Sequence, residues 1–184
     1  MPPLPLPDPE LADDAIRLRP PSAADVPAIT EACQDPAIQH FTFVPVPYSE
    51  EDARDWVGGA PARAAAGENL SLVIANADDR TEVLGTVGLL RPDWERRTIE
   101  IGYLVVPWAR GRGLAVRAVK LLAPWALRTL DLMRVDCDVD VDNVASRQVA
   151  QRAGLVEQDA ARAPLTLKGR TWNLVSYSLG RTSG

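Results

Sequence analysis

The sequence holds only two cysteines and one histidine among its 184 residues. Cys33 and Cys137 stand far apart with no C-x-x-C spacing, and with His40 they offer neither a disulfide framework nor a zinc cluster. A chain without disulfides suits a reducing compartment, so the cytoplasm is the expected location. No apolar run is long enough to span a bilayer. The opening MPPLPLPDPE has neither the basic nor the apolar region of a signal peptide. Positive charge is in deficit, with 20 Lys and Arg against 25 Asp and Glu and a net charge of −5. That balance argues against binding nucleic acid by general attraction and leaves a surface suited to a cationic substrate. Aromatic residues are few, at 5%. What is present, 46% hydrophobic and 24% charged residues, is the composition of one soluble globular domain with a proper core.

Residues 1–12 are proline-rich and lack apolar periodicity, which predicts a flexible arm ahead of a single domain over 13–184. AIRLRPP reads as a strand with Ile16 and Leu18 on one face and Arg17 and Arg19 on the other. Ser22, with Asp25 three residues on, caps a helix. DPAIQHFTFVPVPY reads as an ordered loop, and Ser49 caps the next helix, which has an acidic first turn. The period then changes. NLSLVIANA, TEVLGTVGLL and TIEIGYLVV are strands separated by DDR and RPDWERR, which together predict an antiparallel meander. A helical pattern runs from Gly113 to about Leu130, with Pro124 expected to kink or split it. MRVDCDVDV alternates strictly, Val135, Cys137, Val139 and Val141 against Asp136, Asp138, Asp140 and Asp142. Alternation predicts that the aspartates form the solvated face, the other reading being an acidic face that draws a cationic amine, with Cys137 a buried small hydrophobe. Strand, helix and strand in this order predict a right-handed parallel crossover. NVASRQVAQRAG is a further helix ended by Gly154, and two final strands surround LKGRTW.

The chemistry centres on VVPWARGRGLAVRAV, where three arginines and two glycines lie between a strand and a helix. Glycines let a loop turn tightly and bring its N–H groups to a ligand, and the first N–H groups of a helix lack intrahelical partners. An anion is therefore favoured there. A Walker loop would end in Gly-Lys-Ser/Thr, which is absent, and no third small residue completes a dinucleotide fingerprint after Gly111 and Gly113. Taken alone, the run reads equally as a plain basic turn.

In context, EIGYLVVPWARGRGLA resembles the acyl-CoA motif of the GNAT superfamily of N-acetyltransferases, whose Arg/Gln-x-x-Gly-x-Gly/Ala pattern is met by Arg110, Gly113 and Ala115. DVDNVASRQVAQRAGL resembles the second motif of its RimJ/RimL branch through Asn143, Ser146 and Gly154. The resemblance implies an α+β fold: a mixed, mostly antiparallel sheet with one parallel crossover and splayed central strands, flanked by helices. It implies acetyl-CoA as cosubstrate, with no metal, no nucleic acid and no membrane. A homodimer is common in that family. The N–H groups of Arg110, Gly111, Arg112, Gly113, Leu114 and Ala115 would hold the pyrophosphate, and Leu104, Val105 and Val106 would pair with the pantetheine arm like a neighbouring strand. Asn143 would hold the cofactor and cap its helix, and Ser146 would approach the sulfur. The Val105 N–H would support the oxyanion. His40, Phe41, Phe43 and Tyr48 would line the acceptor pocket.

Amide formation from a thioester needs a neutral amine and a route for its proton. Glu100, on the strand before the slot, is the candidate base; its other reading is an edge charge paired with Arg96 or Arg97. Ser146 is equally a first-turn hydroxyl bonded to the helix end. Many members of the superfamily carry a tyrosine acid four residues after the Ser146 position, where this chain has Ala150. The expected activity is direct acetyl transfer to a primary amine, a protein N-terminus or a small amine, in a ternary complex. The alternative is a non-catalytic module of the same fold that binds acyl-CoA.

Overall fold

The computed structural model describes residues 1–159 and 164–181. Strands β1 (Leu11–Ala12) and β2 (Ile16–Arg19) come first, followed by helices α1 (Val26–Ala32), α2 (Pro36–Phe41) and α3 (Glu50–Ala65). The meander is β3 (Asn69–Asn76), β4 (Val83–Asp93) and β5 (Thr98–Val105). Helix α4 (Leu114–Thr129), β6 (Arg134–Asp140) and α5 (Val144–Arg152) complete the crossover half. Strand β7 (Val156–Glu157), a hairpin of β8 (Leu165–Leu167) and β9 (Arg170–Trp172), and β10 (Leu174–Gly180) follow. LKGRTW, expected as the turn between two strands, is thus itself part of that hairpin.

Eight strands form one mixed sheet in the order β1-β2-β3-β4-β5-β6-β10-β7, parallel only at β5–β6. Helices α1 and α3 contact β4 and β3, while α4 contacts β5 and β6, and α5 contacts β6. Helix α4 buries Leu114, Ala118, Leu122 and Ala126 in one stripe at helical spacing. Each fully buried leucine contributes about 1.5–3 kcal/mol. That packing carries α4 through Pro124 as one helix, where a break was expected.

Three expectations about the frame are corrected, and one arginine has a partner that the strand pattern does not show. The start of the chain is pinned: the Leu4 N–H donates to Ala64 O (2.9 Å), Leu4 is 3% exposed, and β1 pairs with β2. The lack of apolar periodicity hides this, because a single buried leucine carries it. Arg19, on the strand face opposite Ile16 and Leu18, is buried and forked onto Asp25 at 2.6 and 2.8 Å, which ties β2 to the turn before α1. The stretch read as a loop contains α2, begun by Asp35, whose carboxylate accepts the Ile38 N–H, and by Pro36 in the first helical position. Asp136 and Asp140 are buried, although both alternate with the apolar residues of β6. Asp136 is held there by Arg134 and by the Ser178 hydroxyl at 2.6 Å.

Candidate active site

The parallel pairing of β5 with β6 runs only from Thr98 with Arg134 to Glu100 with Asp136. Beyond it the strands part, and a cavity of about 860 Å³ opens between Ile101–Val105 and Cys137–Asp140. Its walls continue to the phosphate-loop candidate at one end and to Phe41, Phe43, Arg91 and Trp172 at the other.

The loop end is built by backbone. After β5 a short 3-10 turn over Pro107–Ala109 reverses the chain, and Gly111 (φ +79) and Gly113 (φ +72) take left-handed conformations. Gly113 caps α4 with no side-chain bond, so the first N–H groups of this 16-residue helix are uncapped by any side chain at a concave, glycine-shaped entrance. These features fit an anion held by main-chain donors. The arginines contribute less than their number suggests. Arg110 forks onto Asp35 at 2.7 and 3.2 Å, and Arg117 binds Asp13 and Asp14 at 2.9 and 2.6 Å.

Strand β5 presents one edge to β4 and the other to the slot. The Val106 N–H donates to Leu84 O (3.1 Å), on the β4 side, so alternation turns the Val105 N–H toward the slot. Val106 is also buried, and its carbonyl accepts from the Ala109 N–H (3.0 Å). Of the three strand residues expected to meet the pantetheine, Leu104 and Val105 line the cavity, and Val106 shapes the turn instead.

At the centre, Asn143 caps α5 by accepting the Ser146 N–H at 3.1 Å, which fixes Ser146 at the slot. Opposite it stands a residue the sequence did not single out. Tyr103 on β5 places its hydroxyl 2.9 Å from Ser146 Oγ and 3.1 Å from Ser146 O, with Cys137 Sγ at 3.9 Å. Burial pushes the Tyr103 phenol strongly upward, so it stays protonated. Burial likewise pushes the Cys137 thiol up to about 12, which makes it inert as a nucleophile.

Glu100 falls on the opposite face of β5 from Tyr103 by strand alternation, together with the aspartate face of β6. Glu100, Asp138 and Asp140 line this side of the cavity. Glu100 is ion-paired through Oε2 with Arg91, not with Arg96 or Arg97. The register of β4 against β5 shifts between Leu90 and Asp93, and Arg91 has φ +47; this bulge aims Arg91 back at the strand it pairs with. The Arg91 guanidinium lies 5.5 Å above the Phe43 ring, and Phe43 stacks on Trp172 at 5.5 Å and 12°. Lys168 at the β8–β9 turn donates to Gln39 O and Thr42 O, both at 3.0 Å, fastening the hairpin to the end of α2.

The expected acceptor residues divide. Phe41 and Phe43 line the cavity. His40 sits on α2 with its ring edge-on to Phe41. Tyr48 is buried beside Cys33, and burial raises both groups, Cys33 to about 11. Neither His40 nor Tyr48 is part of the wall. Among the described residues no three His, Cys, Asp or Glu side chains gather as a metal site, and no helix is long and apolar enough to cross a membrane.

A mixed sheet split at its one parallel pair, above a helix that begins on a glycine-shaped loop, frames the cavity. The sequence model of the acetyltransferase (GNAT) domain matches residues 15–156, and the chain belongs to the GNAT family of N-acetyltransferases. YdaF of Bacillus subtilis (strain 168), named provisionally as a ribosomal N-acetyltransferase, is 36% identical over 95 residues; the chain spans about half of that relative, 52% of each. Among solved structures, the RimL ribosomal L7/L12 alpha-N-protein acetyltransferase in complex with coenzyme A superposes with a TM-score of 0.80 at 20% identity, covering 93% of this chain and 97% of that one. Spermidine N-acetyltransferase from Vibrio cholerae, in complex with CoA and spermine, gives 0.75 at 17%, covering 91% and 96%. At these identities the two structures establish the shared fold.

Proposed function

We propose that the protein transfers the acetyl group of acetyl-CoA directly to a primary amine, with both substrates bound at once. The observation that carries this is the split between β5 and β6, which joins an anion-binding helix start to an acidic chamber through one continuous slot. In this reading the N–H groups from Gly111 to Ala115 bind the pyrophosphate, Val105 binds the pantetheine through the free edge of β5, and Leu104 lines the slot beside it. The Val105 N–H supports the developing oxyanion. Glu100 receives the amine proton, directly or through water, on the acceptor side. Ser146 hydrogen-bonds the departing sulfur on the other.

The acceptor is a cationic amine. Three carboxylates, Glu100, Asp138 and Asp140, line its chamber beside Arg91, and the Phe43–Trp172 stack supplies a flat wall. An ammonium is attracted to such a chamber before one of its members is deprotonated for attack. Peptides with free N-termini and polyamines both meet this description; the similar structures named above act on one or bind the other.

The test is acceptor-dependent release of free thiol from acetyl-CoA across a panel of peptide N-termini, amino acids and polyamines. Release with cationic amines is the expected result. Tight coenzyme A binding with no thiol release for any acceptor would establish a non-catalytic acyl-CoA module instead.

A further inference from the structure

Helix α5 has Ala150 in place of a long proton donor, yet a phenol reaches the same helix from the opposite wall of the slot. Tyr103 crosses from β5 to Ser146, and the distances leave few arrangements for its single proton. The Ser146 carbonyl (3.1 Å) can only accept. Cys137 Sγ, at 3.9 Å, belongs to a thiol that burial keeps protonated, so it is at most a weak donor to the phenol oxygen. The phenol itself stays protonated in this buried position. Its proton therefore points at Ser146, to the carbonyl at 3.1 Å or to Oγ at 2.9 Å, where either hydroxyl can donate. When Oγ accepts from Tyr103, the serine's own proton turns away from the tyrosine. The Ser146 N–H is already held by Asn143, so the serine backbone cannot swing to follow another partner.

We propose that Tyr103 is a positioning residue that aims the Ser146 hydroxyl into the slot, so that the pair acts as a neutral hydrogen-bond donor to the departing thiolate. This rests on the acetyl-transfer reading above. In that reaction the amine nitrogen bonds to the carbonyl carbon, the carbon–sulfur bond breaks, and its electron pair goes to sulfur. The nitrogen loses its proton to Glu100 and then to solvent, and the thiolate takes one back from solvent. Tyr103 and Ser146 end with the protons they began with; they lower the energy of the thiolate while it exists. A buried tyrosine suits this task because it orients a partner without ionising.

The test uses the full chain and three variants, Tyr103→Phe, Ser146→Ala and the double variant. The first measurement needs no turnover: coenzyme A is bound, and the pH at which its thiol ionises is followed by ultraviolet thiolate absorbance. Loss of a hydrogen bond to the thiolate should raise that midpoint by about one unit, a tenfold change, in either single variant. The double variant should match Ser146→Ala alone, because the tyrosine acts through the serine. Turnover should fall about tenfold in Tyr103→Phe with the KM for acetyl-CoA unchanged. Phenylalanine keeps the ring and its packing, and a thermal melt matching the wild type verifies this.

A thiol midpoint unmoved by Tyr103→Phe while Ser146→Ala raises it would overturn the positioning role, as would additive losses in the double variant. Failure of the wild-type protein to bind coenzyme A would instead overturn the acetyl-transfer reading, and this inference with it.

Discussion

Gly113 is where the loop's geometry can be turned into a number. Replacement by valine puts a β-branched side chain on a backbone at φ +72 and ψ 14. Nothing lies within 4 Å of the Cβ it would carry, so the substitution meets no clash. Its whole cost is the left-handed backbone, about 1–2 kcal/mol for an L residue and toward the upper end for a branched one. That is a factor of roughly 5–30 in an equilibrium constant. The cost has two places to appear. If the loop keeps its shape, the protein unfolds more easily; if the loop relaxes, the N–H groups turn away and coenzyme A binds less tightly. No side chain caps Gly113 and its surroundings are exposed, so relaxation is the easier path. Calorimetric titration of coenzyme A should show a Kd about tenfold higher or more, while urea denaturation moves little. Arg112→Ala removes only an exposed charge, about 0.3–1 kcal/mol, and should change Kd less than about fivefold. An Arg112→Ala loss exceeding that of Gly113→Val would refute the reasoning, because the side chains rather than the backbone would then hold the phosphates.

Two further changes probe the acceptor side and the frame. Glu100→Gln should lower kcat about a hundredfold or more, and an unchanged kcat would remove Glu100 as the proton acceptor. Asp25→Ala strands the buried Arg19 charge and should cost about 3–5 kcal/mol in chemical denaturation; a loss below about 1 kcal/mol would contradict the burial of the pair. The same pair sets an acid limit. Burial alone would raise the Asp25 carboxyl, but the bonds from Arg19 and the Ser22 N–H outweigh it and hold the group below its ordinary 3.8. Its contribution is therefore complete above that value and is lost as pH falls through the lower, folded one. In acid titrations the Asp25→Ala protein should lose less stability below about pH 4 than the wild type does.

Period and punctuation made much of the fold readable. Alternation located the meander and β6, and the two glycines of RGRGLA both have the positive φ that their loop requires. What alternation cannot reveal is which partners a polar face meets. The aspartates of β6 look like a solvated face along the chain, yet Asp136 and Asp140 are buried, and Arg134 and the Ser178 hydroxyl hold Asp136. The same limit hid Arg19, whose partner lies across a turn. The partner of Glu100 depended on a bulge that re-aims Arg91, and no local pattern marks a bulge without glycine. Along the chain Tyr103 reads only as a strand residue, because its meaning comes from Ser146, 43 positions away on another element. α2 was within reach of the sequence, since Asp-Pro is a helix-start signal, but its six residues lay among prolines and aromatics that read as a loop.

The fork of Arg110 onto Asp35 has a consequence for how the two ends of the slot communicate. Asp35 caps α2; the far end of α2 leads into Phe41 and Phe43 and is fastened by Lys168 to the hairpin that carries Trp172. One guanidinium therefore sits between the cofactor entrance and a strut ending at the acceptor wall. On the proposed function, a phosphate drawing Arg110 toward itself would compete with a carboxylate that also anchors the strut, so cofactor occupancy and the set of the acceptor wall would share a counterion. By linkage the influence would run equally in reverse: whatever steadied the wall would alter the grip on the cofactor by the same factor.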